Sequence, residues 1–204
     1  MTKTLVLGCG AIAHELVAVF KANNWTHVDI QCLPAEWHNT PDKIVPALRE
    51  KLTENAGKYS KIFIAYGDCG TGGRLDALIR EQQANGLDHL ERLPGDHCYA
   101  FFAGVDHFNS IYADDIGTFY LTDYLAANFE RLILDDLGIT KHPELLPMYF
   151  GNYTRLVYLS QQQNPELLDK AKRAAEQLSL TFEHIPTGLE EFDSALQSIR
   201  IVAE

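Results

Sequence analysis

No Cys-x-x-Cys pair, no lysine- or arginine-rich run and no long apolar stretch occurs in this chain, and each absence excludes something. Without a CxxC pair, the strongest sequence signature of a structural zinc site is missing. Basic residues are also outnumbered, 17 Lys and Arg against 28 Asp and Glu, for a formal net charge of −11. Such a surface repels phosphate, which argues against DNA, RNA or an anionic membrane as the main partner. No segment approaches the roughly 18–20 uncharged apolar residues that span a bilayer. The opening MTKTLVLGCGAIAHEL has too short an apolar run for a secretory signal and no small-residue cleavage site. The expectation is a soluble, cytoplasmic protein.

What is present is an ordinary globular composition, 46% hydrophobic and 22% charged over 204 residues. That length buries one sizeable core. One α/β domain over residues 1–204 is expected, with a small C-terminal lobe from about residue 154 as the alternative. Four cysteines occur: Cys9, Cys32, Cys69 and Cys98. In a chain this long, with no export signal, they are expected to be reduced, as packing residues, metal ligands or catalytic groups.

The first hundred residues alternate β-rich runs with helix-compatible stretches. Strand formers at Thr4 to Leu7 end in GCGA, and apolar residues at helical spacing follow from Ile12 to Lys21. Val28 to Leu33 alternates as a half-buried strand, and a helix is expected from Pro41 to about Asn55 with Thr40 as its cap. KIFIAY is continuous and apolar, as a strand buried on both faces should be. A helix over Arg74 to Ala84 follows, then a fourth strand near Cys98 to Ala103. Further on, a helix is expected between Gly117 and Gly138, and TRLVYL and LTFEHI read as strands flanking a helix over Pro165 to Leu178. This βαβ alternation predicts a mainly parallel sheet with helices on both faces, a three-layer, Rossmann-like architecture with a C-terminal βαβ extension.

In an open parallel sheet, ligands bind outside the carboxyl ends of the strands. Cys9, Cys69 and Cys98 fall at or near such positions, whereas Cys32 reads as a small core residue inside a strand. Gly8 and Gly10 flank Cys9, and Gly70 and Gly72 follow Cys69. These glycines let the backbone approach a ligand closely and present helix-start N–H groups, so they are candidate cofactor-binding positions. Neither glycine segment completes a nucleotide motif. GDCGTGG lacks the phosphate-loop lysine, and in GCGAIA the third glycine is Ala13, a replacement the dinucleotide pattern tolerates, with Asp29 spaced for a ribose contact. His38 lies in a loop on the same presumed edge as the thiols, as a candidate ligand or acid/base, while His14, His97 and His107 lie nearby in sequence. Asp68 and Asp106 are candidate carboxylates for orienting a ligand, and Tyr66 and Tyr120 could supply hydroxyls.

Together the segments LGCGAIAHEL, LPAEWHNTPDKI, IAYGDCGTGG and GDHCYAFFAG, in this order, resemble the bacterial and archaeal family called domain of unknown function 1638. The resemblance runs from Thr4 to about Tyr153. It implies that Cys9, Cys69, Cys98 and His38 match residues that family members carry. Because many members are encoded near corrinoid-dependent methyltransferases, it also implies a role in one-carbon or methylamine-type metabolism, with a corrinoid protein or methyltransferase as a partner.

Residues and resemblance meet in a metal-dependent enzyme acting on a small-molecule substrate. Cys9, Cys69 and Cys98 would be the metal ligands, and His38, Asp68 and Tyr66 the catalytic candidates. Three protein ligands and one open position is the catalytic arrangement for zinc; three thiolates could equally hold a [4Fe–4S] cluster with one open iron. A second reading discards the metal: Cys9 and Cys69 resemble the paired thiols of cofactor-independent racemases, one removing an α-proton and the other returning it. A third is a non-enzymatic carrier of a metal or corrinoid, for which FFAGVDHFNSIY would be an exposed apolar patch, although its aromatics read more simply as core.

Overall fold

A computed structural model describes residues 3–114 and 117–200. Within them the chain folds as two compact units, one from the N-terminal half plus the segment from Phe192 onward, the other spanning Phe102–Glu191. Both are α/β with parallel sheets, as the alternation of elements predicts.

The first unit contains β1 (Thr4–Cys9), α1 (Ala13–Ala22), β2 (Val28–Leu33), α2 (Ile44–Glu54), β3 (Lys61–Ala65), α3 (Arg74–Ala84) and the short β4 (Glu91–Arg92). Its sheet has the order β2-β1-β3-β4, and every described pairing is parallel. β1 is central, so Leu5, Val6 and Leu7 are covered on both faces, and β3 reads as a continuous apolar run for the same reason. β2 lies at the edge, which is why its sequence alternates. One face is closed by Leu48 and Leu52 of α2 with Leu75 and Leu78 of α3, all packed on Leu5, Leu7, Ile62 and Ile64. Truncating Leu48, fully buried there, would cost about 2–5 kcal/mol.

Strand order decides where a ligand site belongs. The chain passes from β1 outward to β2, then returns to β3 on the other side of β1 and continues to β4. The direction of winding therefore reverses between β1 and β3. At such a switch point adjacent loops diverge and leave a crevice at the carboxyl edge.

Past β4 the chain forms α4 (Tyr99–Ala103), α5 (Val105–Asp114), β5 (Thr118–Leu121), α6 (Asp123–Ala127), a π-helical turn (Glu130–Asp135) and α7 (Leu146–Phe150). Then come β6 (Arg155–Ser160), α8 (Pro165–Leu178), β7 (Thr181–Pro186) and α9 (Glu190–Ala195). In the second unit β5, β6 and β7 make a separate three-stranded parallel sheet in that order. α8 begins at Pro165, and the Asn164 side chain accepts hydrogen bonds from the N–H groups of Glu166 and Leu167, a good N-cap. Phe192 of α9 returns to the first unit, where it is fully buried and its ring lies 6.5 Å from that of Phe101.

Several local expectations are corrected. Tyr99–Ala103 is helical rather than the fourth strand, which is the two-residue β4; a short apolar run does not distinguish strand from buried helix. The helix expected to start after Gly117 and stop at Gly138 begins at Asp123, as α6 and the π-helical turn, because TFYL, rich in strand formers, first makes β5; Thr122 then caps α6 by accepting from the Leu125 N–H at 3.4 Å. Thr40 makes no side-chain cap to the turn that precedes α2. Cys32 is exposed rather than core, since β2 is an edge strand. Phe101, Phe102 and Phe108 are buried, so they form no exposed apolar patch; the side chains of Ile111 and Tyr112 fall outside the described set. Among the described residues no helix is long and apolar enough to cross a membrane.

Candidate thiol site at the carboxyl edge of the sheet

Cys9 is the last residue of β1, paired in register with Leu33. It turns the chain into the 3₁₀ turn Gly10–Ile12, and its Sγ accepts from the Ala11 N–H at 3.4 Å. The glycines around it serve packing. A Cβ on Gly8 would lie 2.9 Å from Leu16 Cδ1, and one on Gly10 would lie 3.0 Å from the Leu33 carbonyl. They allow α1 and the end of β2 to close on β1.

Beyond β3 the chain runs through buried Tyr66 into a loop stitched to the segment that follows β4. The N–H of Asp68 donates to the Gly95 carbonyl at 3.2 Å, and the N–H of Cys69 donates to the Asp96 carbonyl at 2.8 Å. Cys69 itself has φ +48°, a left-handed conformation uncommon outside glycine, asparagine and aspartate. The Asp68 carboxylate is used inside the loop, accepting from Thr71 Oγ1 at 2.6 Å and from the N–H groups of Gly72 and Gly73 at 2.8 Å each. Partial burial raises its pKa, but these hydrogen bonds outweigh burial and hold it below the ordinary range. Asp68 is thus the organiser of this loop.

Cys98 sits immediately before α4. The segment carrying it is clamped by Arg92, whose Nη1 donates to the carbonyls of Leu93 at 2.7 Å and Gly95 at 3.0 Å. The same guanidinium makes a two-pronged ion pair with Asp76 of α3, at 2.5 and 3.0 Å. Arg92 therefore joins α3, β4 and the Cys98 segment, a positioning role with no motif to announce it in the sequence.

The three thiols lie within electrostatic reach of one another. Burial pushes Cys69 up to about 12, and the neighbouring Cys9 adds to the rise. Burial also raises Cys98 well above an ordinary thiol, with Cys69 and then Cys9 contributing. Cys9 is raised by burial against the opposing pull of the Ala11 N–H and Tyr66. The Tyr66 hydroxyl is buried and makes no well-formed hydrogen bond. It interacts loosely with Cys9, and its own pKa is raised by burial and then by that thiol.

His38, in the 3₁₀ turn Ala35–Asn39, keeps exposed surface but stands in crowded surroundings. Burial and then His97 lower its pKa, which places the two imidazoles near each other. Two participants escaped the sequence reading: Cys32, which feels the charge of Cys9, and Glu36, which raises Cys9. The register Gly8↔Cys32 explains the first, and only knowledge of strand pairing could have revealed it. His14 is exposed on α1, while Asp106, His107 and Tyr120 belong to the other unit. Asp29 lies near the amino end of β2, bonded to Lys3 and Tyr59, at the wrong end of the strand for a ribose contact.

Among the described residues, no three His, Cys, Asp or Glu side chains are arranged to close round one metal ion as they stand. The donor set still suits a soft cation: three thiols on three separate segments, beside a hydroxyl without a firm partner.

The fold and the site define a class, α/β proteins with a cysteine cluster at the switch point of a parallel sheet. Residues 32–196 match the family model described as protein of unknown function (DUF1638), and the chain belongs to that family. Cys69, Cys98 and His38 fall inside the match, and Cys9 lies ahead of it. No curated protein and no solved structure matches the chain.

Proposed function

We propose that Cys9, Cys69 and Cys98 hold a soft metal ion, zinc in the first instance, in an enzyme that acts on a small molecule in the cytoplasm. The observation that carries this reading is the meeting of three thiols from three separate segments at the switch point between β1 and β3. The charges around them favour it over a free nucleophile. A reactive thiolate needs a cationic neighbour or helix start to lower its pKa. Here backbone N–H groups pull Cys69 and Cys98 down, but burial and the neighbouring thiols, with Asp68 at Cys69, outweigh them and raise both. Metal binding is the ordinary way to stabilise several buried thiolates together.

When bound, zinc would supply Lewis acidity, polarising a carbonyl or lowering the pKa of water or of a substrate thiol. The chain's own groups supply the rest. The Tyr66 hydroxyl, buried beside Cys9 and raised in pKa by burial, would supply a proton donor. His38, whose pKa its crowded surroundings and His97 lower, would accept a proton at an imidazole nitrogen. Asp68 holds the Cys69 loop and Arg92 holds the Cys98 segment. Three thiolates suit a [4Fe–4S] cluster equally in ligand type. The one-carbon or methylamine-type setting, and a corrinoid protein or methyltransferase as partner, come from the family resemblance.

The test is elemental analysis and a UV–visible spectrum of protein purified without oxygen, beside Cys69→Ser and Cys98→Ser variants. About one zinc per chain, lost in both variants, is the expected result. Roughly four irons with broad absorbance near 400 nm would replace zinc by a cluster at the same ligands. Metal-free protein in which Cys9 and Cys69 alkylate rapidly at neutral pH would overturn the metal reading in favour of the paired-thiol enzyme.

A further inference from the structure

The second unit contains a groove of about 430 Å³ that takes no part in the thiol site. It runs between the end of α6, the π-helical turn that follows, and α8, and its lining includes Asn128, Glu130, Arg131, Lys170, Arg173 and Gln177. Its volume is within the range of small-ligand pockets. Three cations from two elements meet here in a chain whose net charge is −11. Lys170 and Arg173 are three residues apart on α8 and so share one face. Arg131 comes from the opposite wall, on the π-helical turn, and its Nη2 donates to Asn128 Oδ1 at 3.3 Å. A π-helical turn is costly and recurs at functional sites.

Acidic groups temper this field. Glu130 is part of the lining, and Glu166 pairs with Lys170 at 2.8 Å. Asp169 and Glu176 sit on the same helix outside the lining. The recognition therefore falls to the two guanidiniums, which approach from opposite walls, are always charged and match the geometry of phosphate oxygens.

We propose that this groove binds a small phosphate-bearing molecule, a phosphate monoester or a diphosphate, held between Arg131 and Arg173 with Lys170 as an added point charge. Asn128 and Gln177 provide neutral donors for remaining oxygens, and Glu130 disfavours purely anionic ligands that offer it no donor.

The test is calorimetric titration of the full chain with inorganic phosphate and with inorganic pyrophosphate, at constant ionic strength so that screening does not vary. Thermal unfolding is followed in parallel. The variants are Arg131→Ala/Arg173→Ala and, as a control, Lys172→Ala, which removes a charge from α8 outside the groove. Saturable binding that weakens about tenfold or more in the double variant, and is unchanged in Lys172→Ala, is the expected result. Saturation by phosphate would point to a monoester, and saturation by pyrophosphate alone to a diphosphate. Absence of saturable binding, or equal weakening by Lys172→Ala, would overturn the proposal. All three positions are exposed, so the variants should fold.

Discussion

Replacing Cys69 by glycine should leave the protein more stable than replacing it by alanine, the reverse of the usual order. Both substitutions remove the thiol and its burial, so the comparison isolates the backbone. Cys69 has φ +48°. An L-residue pays about 1–2 kcal/mol in the left-handed region, and alanine keeps that penalty while glycine does not. Against this stands the extra chain entropy that glycine loses on folding, about 0.5–1 kcal/mol. The difference favours glycine by roughly 0.5–1 kcal/mol, equivalent to about 2–4 °C in Tm per kcal/mol for a chain of this size. Cys9 supplies the internal control, since its φ of −74° and ψ of 137° are extended. There the alanine variant should be the more stable, by about 0.5–1 kcal/mol. Urea and thermal unfolding of the four variants, reduced and treated with chelator, measure both differences. If alanine is the better residue at both positions, Cys69 is not held in a left-handed conformation, and the loop geometry assigned to it is wrong.

Gly8→Ala should cost about 1–3 kcal/mol by forcing Leu16 aside, and Leu16→Ala in the same chain should recover part of that loss; additive effects in a double-mutant cycle would refute the contact. Arg92→Leu should loosen the segment between β4 and α4 before the rest of the first unit, seen as faster amide exchange around residues 95–101 and faster alkylation of Cys98. Asp76 should make the same clamp sensitive to acid. Hydrogen bonds from Arg92 hold its pKa below the ordinary 3.8, so its contribution is present above about pH 4. It is lost as pH falls through the lowered folded value, and Asp76→Asn should abolish that part of the acid dependence. Because Asp76 is more than a third exposed, solvent screening keeps its effect near or below about 1 kcal/mol.

The sequence by itself determined the class of the fold and most element boundaries. β2, α3 and α8 stand where their patterns put them, because strand alternation, helical spacing and a capped proline are local signals. It also singled out Cys9 and Cys69, since each follows a strand in a glycine-rich turn. The short run after Cys98 was not legible as a helix, because five apolar residues satisfy both periodicities and only packing chooses between them. Cys32 misled for a related reason: a small apolar residue in a strand is core or surface according to which strands pair with it, and β2 is an edge.

Only the tertiary structure decided that the winding reverses between β1 and β3, which brings together thiols 60 and 89 residues from Cys9 along the chain. It alone showed Arg92 holding the Cys98 segment, Asp68 occupied within its loop, and the cations of α8 facing Arg131 across a groove. Each of these depends on which strands and helices become neighbours. That choice is made by burial of apolar faces over the whole unit, and no local stretch of sequence contains it.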